Sequence, residues 1–477
     1  MNKVLKLTLL GASLAFSSSQ TLAGSFNACS EAQQHPELAD SLCANIAAPL
    51  QHDDQSSTDN INLFVRKFPA QEKPEGSIWL IAGGPGESGA SFYKIIEHYQ
   101  NAFPTLDIYI PDHRGTGASS TICKEEQLAS DGGVALVGAE WGSCFGSMYA
   151  KPDHVKAFSI SNAAKDLRQL INQHSSPGKR YVYAVSYGTQ LSLRLLQLEN
   201  VKIDGLILDS LVPLQDDKEY ELSRRSFVVD EMGKTLLKKC QQDANCGKGK
   251  DLLSISAELS RKYQSLETLD PKLKAASLSN SLGTLLDIPP LRNDIPTILL
   301  ALQEGNGQPL LNALEAAQHY YAGFNQNYAN FGSSVPLVQV ITAAENNLRP
   351  EAKKTDIKKE ENELSFTSPL PTLMAEVTLP RYQRDQYFAK VPENMPRTLV
   401  LHGDMDPKTH HLGARKHVQK LKSMNTGSTI NMITIDDAPH FIALNAPACF
   451  KAYANAFLGD TPIKGDSCSD EKSKINF

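Results

Sequence analysis

The stretch YVYAVSYGTQLSLRLLQL, Tyr181 to Leu198, runs β-branched and aromatic residues into a serine, then a glycine, then a leucine-rich helical pattern. A buried strand that ends on Ser186 and passes at once into a helix holds the serine hydroxyl above the carboxyl edge of a sheet, where open α/β sheets bind ligands. The same position is a helix N-terminus, whose free N–H groups and partial positive charge suit a developing oxyanion. A plain N-capping serine would fit these residues as well. The rest of the chain has to decide between the two.

Outward from this seam, strand and helix signals alternate. Ile61 to Phe68 alternates as a half-buried strand, and Ser77 to Ala82 (SIWLIA) is an apolar run that stops at GGPGESG. Ala90 to Gln100 reads as helix. Leu106 to Pro111 (LDIYIP) is an apolar strand that stops at DHRGTGASS, and Asn162 to Gln173 is a helix with Leu167, Leu170 and Ile171 on one face. Ile203 to Leu208 (IDGLIL) follows the helix of the opening stretch. Such alternation implies a parallel sheet covered on both faces.

After Pro213 the alternation lapses, and to about Glu393 the pattern is mostly amphipathic helix, clearest in Ser254 to Leu269 and Ile295 to Phe324. The run KKTDIKKEENE, Lys353 to Glu363, reads as a solvated helix face. Strands resume with Arg397 to His402 (RTLVLH) and Ser428 to Ile435 (STINMITI), and a last helix covers Ala446 to Phe457. The expected architecture is α/β, with a mostly parallel central sheet covered by helices and a mainly helical cap inserted after the sixth strand. Residues 24–212 form the N-terminal part of the core, 213–393 the cap and 394–477 the C-terminal part.

The 477 residues are 41% hydrophobic and 21% charged, an ordinary globular composition. The formal charge is −6, the isoelectric point is near 6.1, and no run of Lys or Arg is dense enough to neutralise a phosphate backbone. Nucleic acid is therefore excluded as a partner. Lys3 and Lys6 precede the apolar run Leu7 to Phe16, and Thr21, Leu22 and Ala23 offer small residues for cleavage, so residues 1–23 read as a secretory signal peptide. The run is shorter than the about 20 apolar residues a spanning helix needs. No lipid-attachment motif precedes Cys29, and no stable membrane insertion is expected.

Export to a periplasm or to the outside of the cell makes the eight cysteines disulfides. The simplest pairing joins neighbours along the chain: Cys29 with Cys43, Cys123 with Cys144, Cys240 with Cys246, and Cys449 with Cys468. There is no CxxC pair, and no histidine is placed to complete a zinc set.

A serine hydroxyl is a poor nucleophile unless a base takes its proton, and the base needs an acid to fix its tautomer. In α/β-hydrolases these come in the chain order Ser, Asp, His. Strand RTLVLH is followed by GDMDPKT, and strand STINMITI by DDAPHF, so Ser186, Asp406 and His440 satisfy both order and spacing. Asp404 competes for the acid, and Asp436 or Asp437 could be held near the base. His402 precedes the acid and reads as a structural hydrogen-bonder, while His113, His410 and His411 read as surface or supporting groups. The glycines of IAGGPGESG let the backbone approach a substrate, and Gly84 can offer an N–H to an oxyanion together with Tyr187, because Pro85 has none. No GxxxxGK occurs in this loop, which excludes a P-loop phosphate cradle there.

Together GGPG, DHRGTGAS, VSYGT, GDMDP and APHF resemble the proline iminopeptidase and tripeptidyl aminopeptidase branch of the α/β-hydrolases, from about Ile61 to the C-terminus. The length, leader and cysteines resemble the secreted tripeptidyl aminopeptidase type. Departures are Ala82 where the iminopeptidases have histidine, Ala184 for the first glycine of GxSxG, and a base histidine without a following glycine. The likeness implies nucleophile Ser186, acid Asp406, base His440, and oxyanion donors Gly84 and Tyr187. It also implies acyl transfer without metal or organic cofactor, on peptide substrates with a free N-terminus. By likeness to an acidic cap position, Glu345 in VITAAENN is the candidate for the substrate ammonium. Two other readings are kept open: an esterase for small acyl esters, which the same triad serves, and an inactive secreted binding protein with a hydrolase fold.

Overall fold

Apolar runs that carry no alternation need cover on both faces, and the computed structural model shows how they obtain it. It describes residues 25–54, 56–129, 139–325, 328, 332–459 and 461–477, so the expected signal peptide, residues 1–23, lies outside the described residues. In chain order the strands are β1 Asn27–Ala28, β2 Leu42–Pro49, β3 Asn60–Phe68, β4 Gly76–Ile81, β5 Leu106–Pro111, β6 Lys179–Val185, β7 Gly205–Asp209, β8 Arg397–Gly403, β9 Ile430–Asp436 and β10 Ser467–Ser469. They form one sheet in the order β1-β2-β3-β5-β4-β6-β7-β8-β9-β10. The pairs β1–β2, β2–β3 and β3–β5 are antiparallel, and every pair from β5 to β10 is parallel.

In β4 the pleat sends Ile78 and Leu80 to one face and Trp79 and Ile81 to the other, and all four are buried. On the first face they join Tyr183, Ile207, Tyr99 of helix Ile96–Ala102 and Phe450 of helix Pro447–Leu458. On the second they join Val182, Leu206, Leu167 of helix Ile160–His174 and Leu191 of helix Tyr187–Leu196. Each fully buried side chain of this kind is worth roughly 1.5–3 kcal/mol. The expected helix at Ala90 begins as a 3-10 turn, Gly89–Ile95, before the α-helix.

From β4 the chain goes to β5 on one side and then crosses to β6 on the other. The loops after β4 and β6 therefore face each other at the carboxyl edge, where such a switch leaves a crevice.

Between β7 and β8 the described chain is helical and has an apolar cluster of its own, including Leu236, Leu259, Leu282, Leu299 and Phe366. This insertion follows the seventh strand and not the sixth: five strand signals precede Pro213, and β1 and β2 add two on an antiparallel edge ahead of Ile61. Its long expected helix is two, Ile295–Gln303 and Gln308–Asn325, broken where Gly305 takes φ +84°. The helix expected to reach Leu269 ends at Lys262. All four disulfides join sequence neighbours, Cys29–Cys43, Cys123–Cys144, Cys240–Cys246 and Cys449–Cys468. Among the described residues no helix is long and apolar enough to cross a membrane.

Candidate active site

β6 ends on Val185, and Ser186 turns the chain into helix Tyr187–Leu196 with φ 55° and ψ −127°. A non-glycine residue holds such a backbone only where its surroundings enforce it. Here Ser186 N–H donates to Asp209 O at 3.1 Å, and the elbow packs against β4 without room for side chains. A Cβ added to Gly188 would lie 2.4 Å from Ile81 O, and one added to Gly83 would lie 2.9 Å from Ser186 Cβ. Ala184, where a glycine is usual, points its methyl into the fully buried layer of β6.

In the loop after β4, Gly84 has φ +105°, and an added Cβ would collide with the backbone of Gly86 and Glu87. The N–H groups of Gly84 and Tyr187 find no acceptor among the described residues, and both residues line a cavity with Ser186. Asp112 of DHRGTGAS fixes that loop. Its Oδ1 accepts from Ser88 Oγ at 2.8 Å and Gly89 N–H at 2.7 Å, and its Oδ2 accepts from Ala118 N–H at 2.8 Å. Arg114 of the same motif is structural, since its guanidinium binds buried Asp166 at 2.6 and 2.7 Å.

The loops after β8 and β9 bring Asp406 and His440 together, with Asp406 Oδ2 2.8 Å from His440 Nδ1. Asp406 is fully buried and well supplied with donors: Lys408 N–H at 2.7 Å, Thr409 N–H at 2.8 Å and Thr409 Oγ1 at 2.6 Å. Burial alone would push its carboxyl up. The adjacent His440 imidazole, with help from His402 and Thr409, outweighs burial and holds it well below the usual carboxylate range.

The competing acids are engaged elsewhere. Asp436 accepts from Ser469 Oγ at 2.6 Å, Asp437 pairs with Lys239 Nζ at 2.5 Å, and no contact joins Asp404 to His440. His402 Nε2 bonds Thr409 O at 2.8 Å and braces the acid's turn. His113 is buried against Tyr187, while His410 stacks on Tyr220 with centroids 4.0 Å apart. His411 Nε2 meets Thr434 Oγ1 at 3.0 Å.

Sequence reasoning missed Asp209, the last residue of β7. Its carboxylate accepts from Ile442 N–H at 2.8 Å, Ala443 N–H at 2.9 Å, Ser210 Oγ at 2.9 Å and Tyr183 OH at 2.6 Å. These bonds tie the turn after His440 to the strand beside the elbow. An acid closing the apolar run LILD was the signal.

Two lobes meet at Ser186. The smaller, about 510 Å³, is lined by Tyr187, Gln215, Glu221 and Asn346 among others, and the larger, about 1120 Å³, by Glu87, Asp287, Tyr320, Tyr321 and His440. Gly84, Ser186, Arg225 and Lys408 line both. Burial pushes the Glu87 carboxyl up against the opposing charges of Lys408 and His440.

Glu345 does not line either lobe. It is fully buried in the π-turn Thr342–Asn346, with Arg194 Nη2 3.3 Å from its Oε2 and Gln215 also bonded to it. The widened turn presents Asn346 to the cavity instead, so the acid lining the smaller lobe is Glu221.

A profile of the alpha/beta hydrolase fold family matches residues 77–447. The chain is 24% identical to serine protease Hip1 of Mycobacterium tuberculosis over 475 residues, covering 90% of this chain and 87% of that protein. It is 24% identical to YuaR of Escherichia coli K12 over 307 residues; the match spans only 59% of the length of each. Among solved structures, potato epoxide hydrolase I is 13% identical, with 88% of this chain and 99% of that one covered at a TM-score of 0.38.

Proposed function

Because the chain belongs to the alpha/beta hydrolase fold family, we propose that it is an exported serine peptidase that releases amino acids or short peptides from free N-termini. The observation that carries this reading is the 2.8 Å pair of buried Asp406 with His440, at a cavity shared with a serine held on a left-handed turn. The name of Hip1, a serine protease, supports the peptidase class. In the proposed mechanism His440 takes the Ser186 proton as Oγ attacks the scissile carbonyl, while the Gly84 and Tyr187 N–H groups receive the oxyanion. His440, oriented by Asp406, then gives that proton to the leaving amine and activates water for deacylation. The helical insertion, residues 213–393, would act as a cap that closes the two lobes over the serine. The four disulfides support an oxidising compartment, periplasmic or extracellular.

The free ammonium is assigned to the smaller lobe, with Glu221 as its carboxylate. Glu345 stands behind Gln215 and Asn346, and Arg194 already balances its charge. The test is a hydrolysis panel of free-amine aminoacyl and tripeptidyl anilides, their N-blocked forms and short acyl esters. Free-amine peptides should be cleaved and blocked ones spared, and Ser186→Ala should lower turnover roughly 10⁴-fold or more with the fold intact. Glu221→Gln should reduce the free-over-blocked preference about tenfold or more, and Glu345→Gln much less. Cleavage of esters alone would move the assignment to an esterase, and an active Ser186→Ala variant would remove Ser186 as the nucleophile.

A further inference from the structure

Most charges around the two lobes are already answered by a partner. Lys408 Nζ lies 2.5 Å from Asp287 Oδ2, and Asp406 is saturated as described above. Arg225 is different. It opens helix Arg225–Gln242, is half-buried and lines both lobes beside Ser186, yet its guanidinium makes no hydrogen bond or ion pair among the described residues. Glu221, four residues earlier, is not within ion-pair distance.

An arginine presents five donors in a rigid fork suited to a carboxylate, and leaving it unanswered in a desolvated cleft is costly. Burial lowers the Arg225 pKa to about 10, which still leaves the group charged at neutral pH. The carboxylates whose charge reaches the guanidinium, Asp406 and Asp287, are already engaged by His440 and Lys408.

We propose that Arg225 is the recognition group for a carboxylate that the substrate carries next to the scissile bond. A base that protonates the leaving amine must face it, so the lobe shared with His440 holds the leaving side. The cleft then carries an acid, Glu221, at one end and an unanswered base at its waist. That polarity fits a peptide whose ammonium enters the smaller lobe and whose carboxylate stops at Arg225. The carboxylate can be the α-carboxylate of a single leaving residue or the side chain of an acidic one. The inference rests on the peptidase reading for the identity of the substrate, not for the chemistry recognised.

The experiment compares kcat/KM of wild-type, Arg225→Gln and Arg225→Lys proteins. The substrates are one free-amine tripeptide extended by alanine with a free α-carboxylate, by alanine amide, and by aspartic acid α-amide. Wild type should favour at least one carboxylate peptide over alanine amide, and which one identifies the source. Arg225→Gln should cut that preference roughly 30-fold or more, and Arg225→Lys should restore part of it. No preference in wild type, or a preference unchanged in Arg225→Gln, overturns the proposal. If wild type cleaves no peptide, the peptidase reading fails by itself, and 4-acetoxybenzoate against 4-acetoxybenzamide applies the same two criteria to Arg225.

Discussion

At the residue scale, the site depends on a few side chains fixed by their neighbours more than by their own sequence context. Asp406 is the clearest, because three donors and His440 converge on its two oxygens. Asp406→Asn keeps the shape but puts an amide where Thr409 and the backbone donate, and it favours the wrong tautomer of His440. Turnover should fall by about 10⁴-fold while the thermal midpoint moves by only a few degrees. The acid's depressed pKa sets the sign of a second effect. Its contribution to stability is fully present above the ordinary carboxylate value near 4 and is lost as pH falls through the lower folded-state value. The asparagine variant should lack that acid-limb loss, so urea midpoints of the two proteins should converge below pH 4. An asparagine variant with near-normal turnover would transfer the orienting role to another acid.

At the element scale, the insertion is fastened by backbone to the loop after β4 that carries Gly84. Ser334 N–H donates to Gly86 O at 2.8 Å, and Ser333 bridges Glu87. Ser334 has φ −71°, which proline accepts, but its Cδ would stand where the hydrogen is donated, so Ser334→Pro deletes this bond and pushes the Gly86 carbonyl away. The expected result is a kcat/KM loss of roughly tenfold, about 1.4 kcal/mol, with folding cooperativity unchanged. Unchanged kinetics would mean that Gly84 is positioned by Asp112 alone. Elements of this sheet were legible in proportion to their burial. SIWLIA, LDIYIP, YVYAV and RTLVLH stand out because parallel strands covered on both faces are continuous apolar runs. β2, with the sequence LCANIAAP, is a strand of mostly small residues beside the edge and gives no such run, and the edge strand β1 is two residues long. The placement of Ser186, Asp406 and His440 was legible because strand order puts their three loops at one sheet edge. Arg225 and Glu221 were not, since SRRSFV and EYEL are ordinary helix-start sequences until the insertion folds back over Ser186. That Asn346 and not Glu345 lines the smaller lobe was not legible for a related reason: a π-turn shifts which residue of AENN faces inward, and no local pattern announces it.

At the scale of the whole molecule, folding must take histidines out of water without charging them. His113 of the DHRGTGAS loop packs against Tyr187, with 4% of its surface exposed, and burial lowers its pKa to about 4. His402 and His417 are buried and shifted the same way. Below about pH 6.5 the unfolded chain binds protons that the folded chain does not. Stability must therefore fall as pH drops from about 6.5 towards 4, by on the order of 3 kcal/mol for His113 at the lower end. The buried carboxyls Asp112 and Asp209 oppose this, because burial raises their pKa and folding then favours proton uptake. The wild-type curve mixes both terms, but the difference between wild type and His113→Gln isolates one. That difference, read from urea midpoints between pH 7.5 and 4, should be flat above pH 7 and should shift in favour of the variant on acidification. A constant difference would mean that His113 is protonated in the folded protein, and that the loop beside Tyr187 admits water.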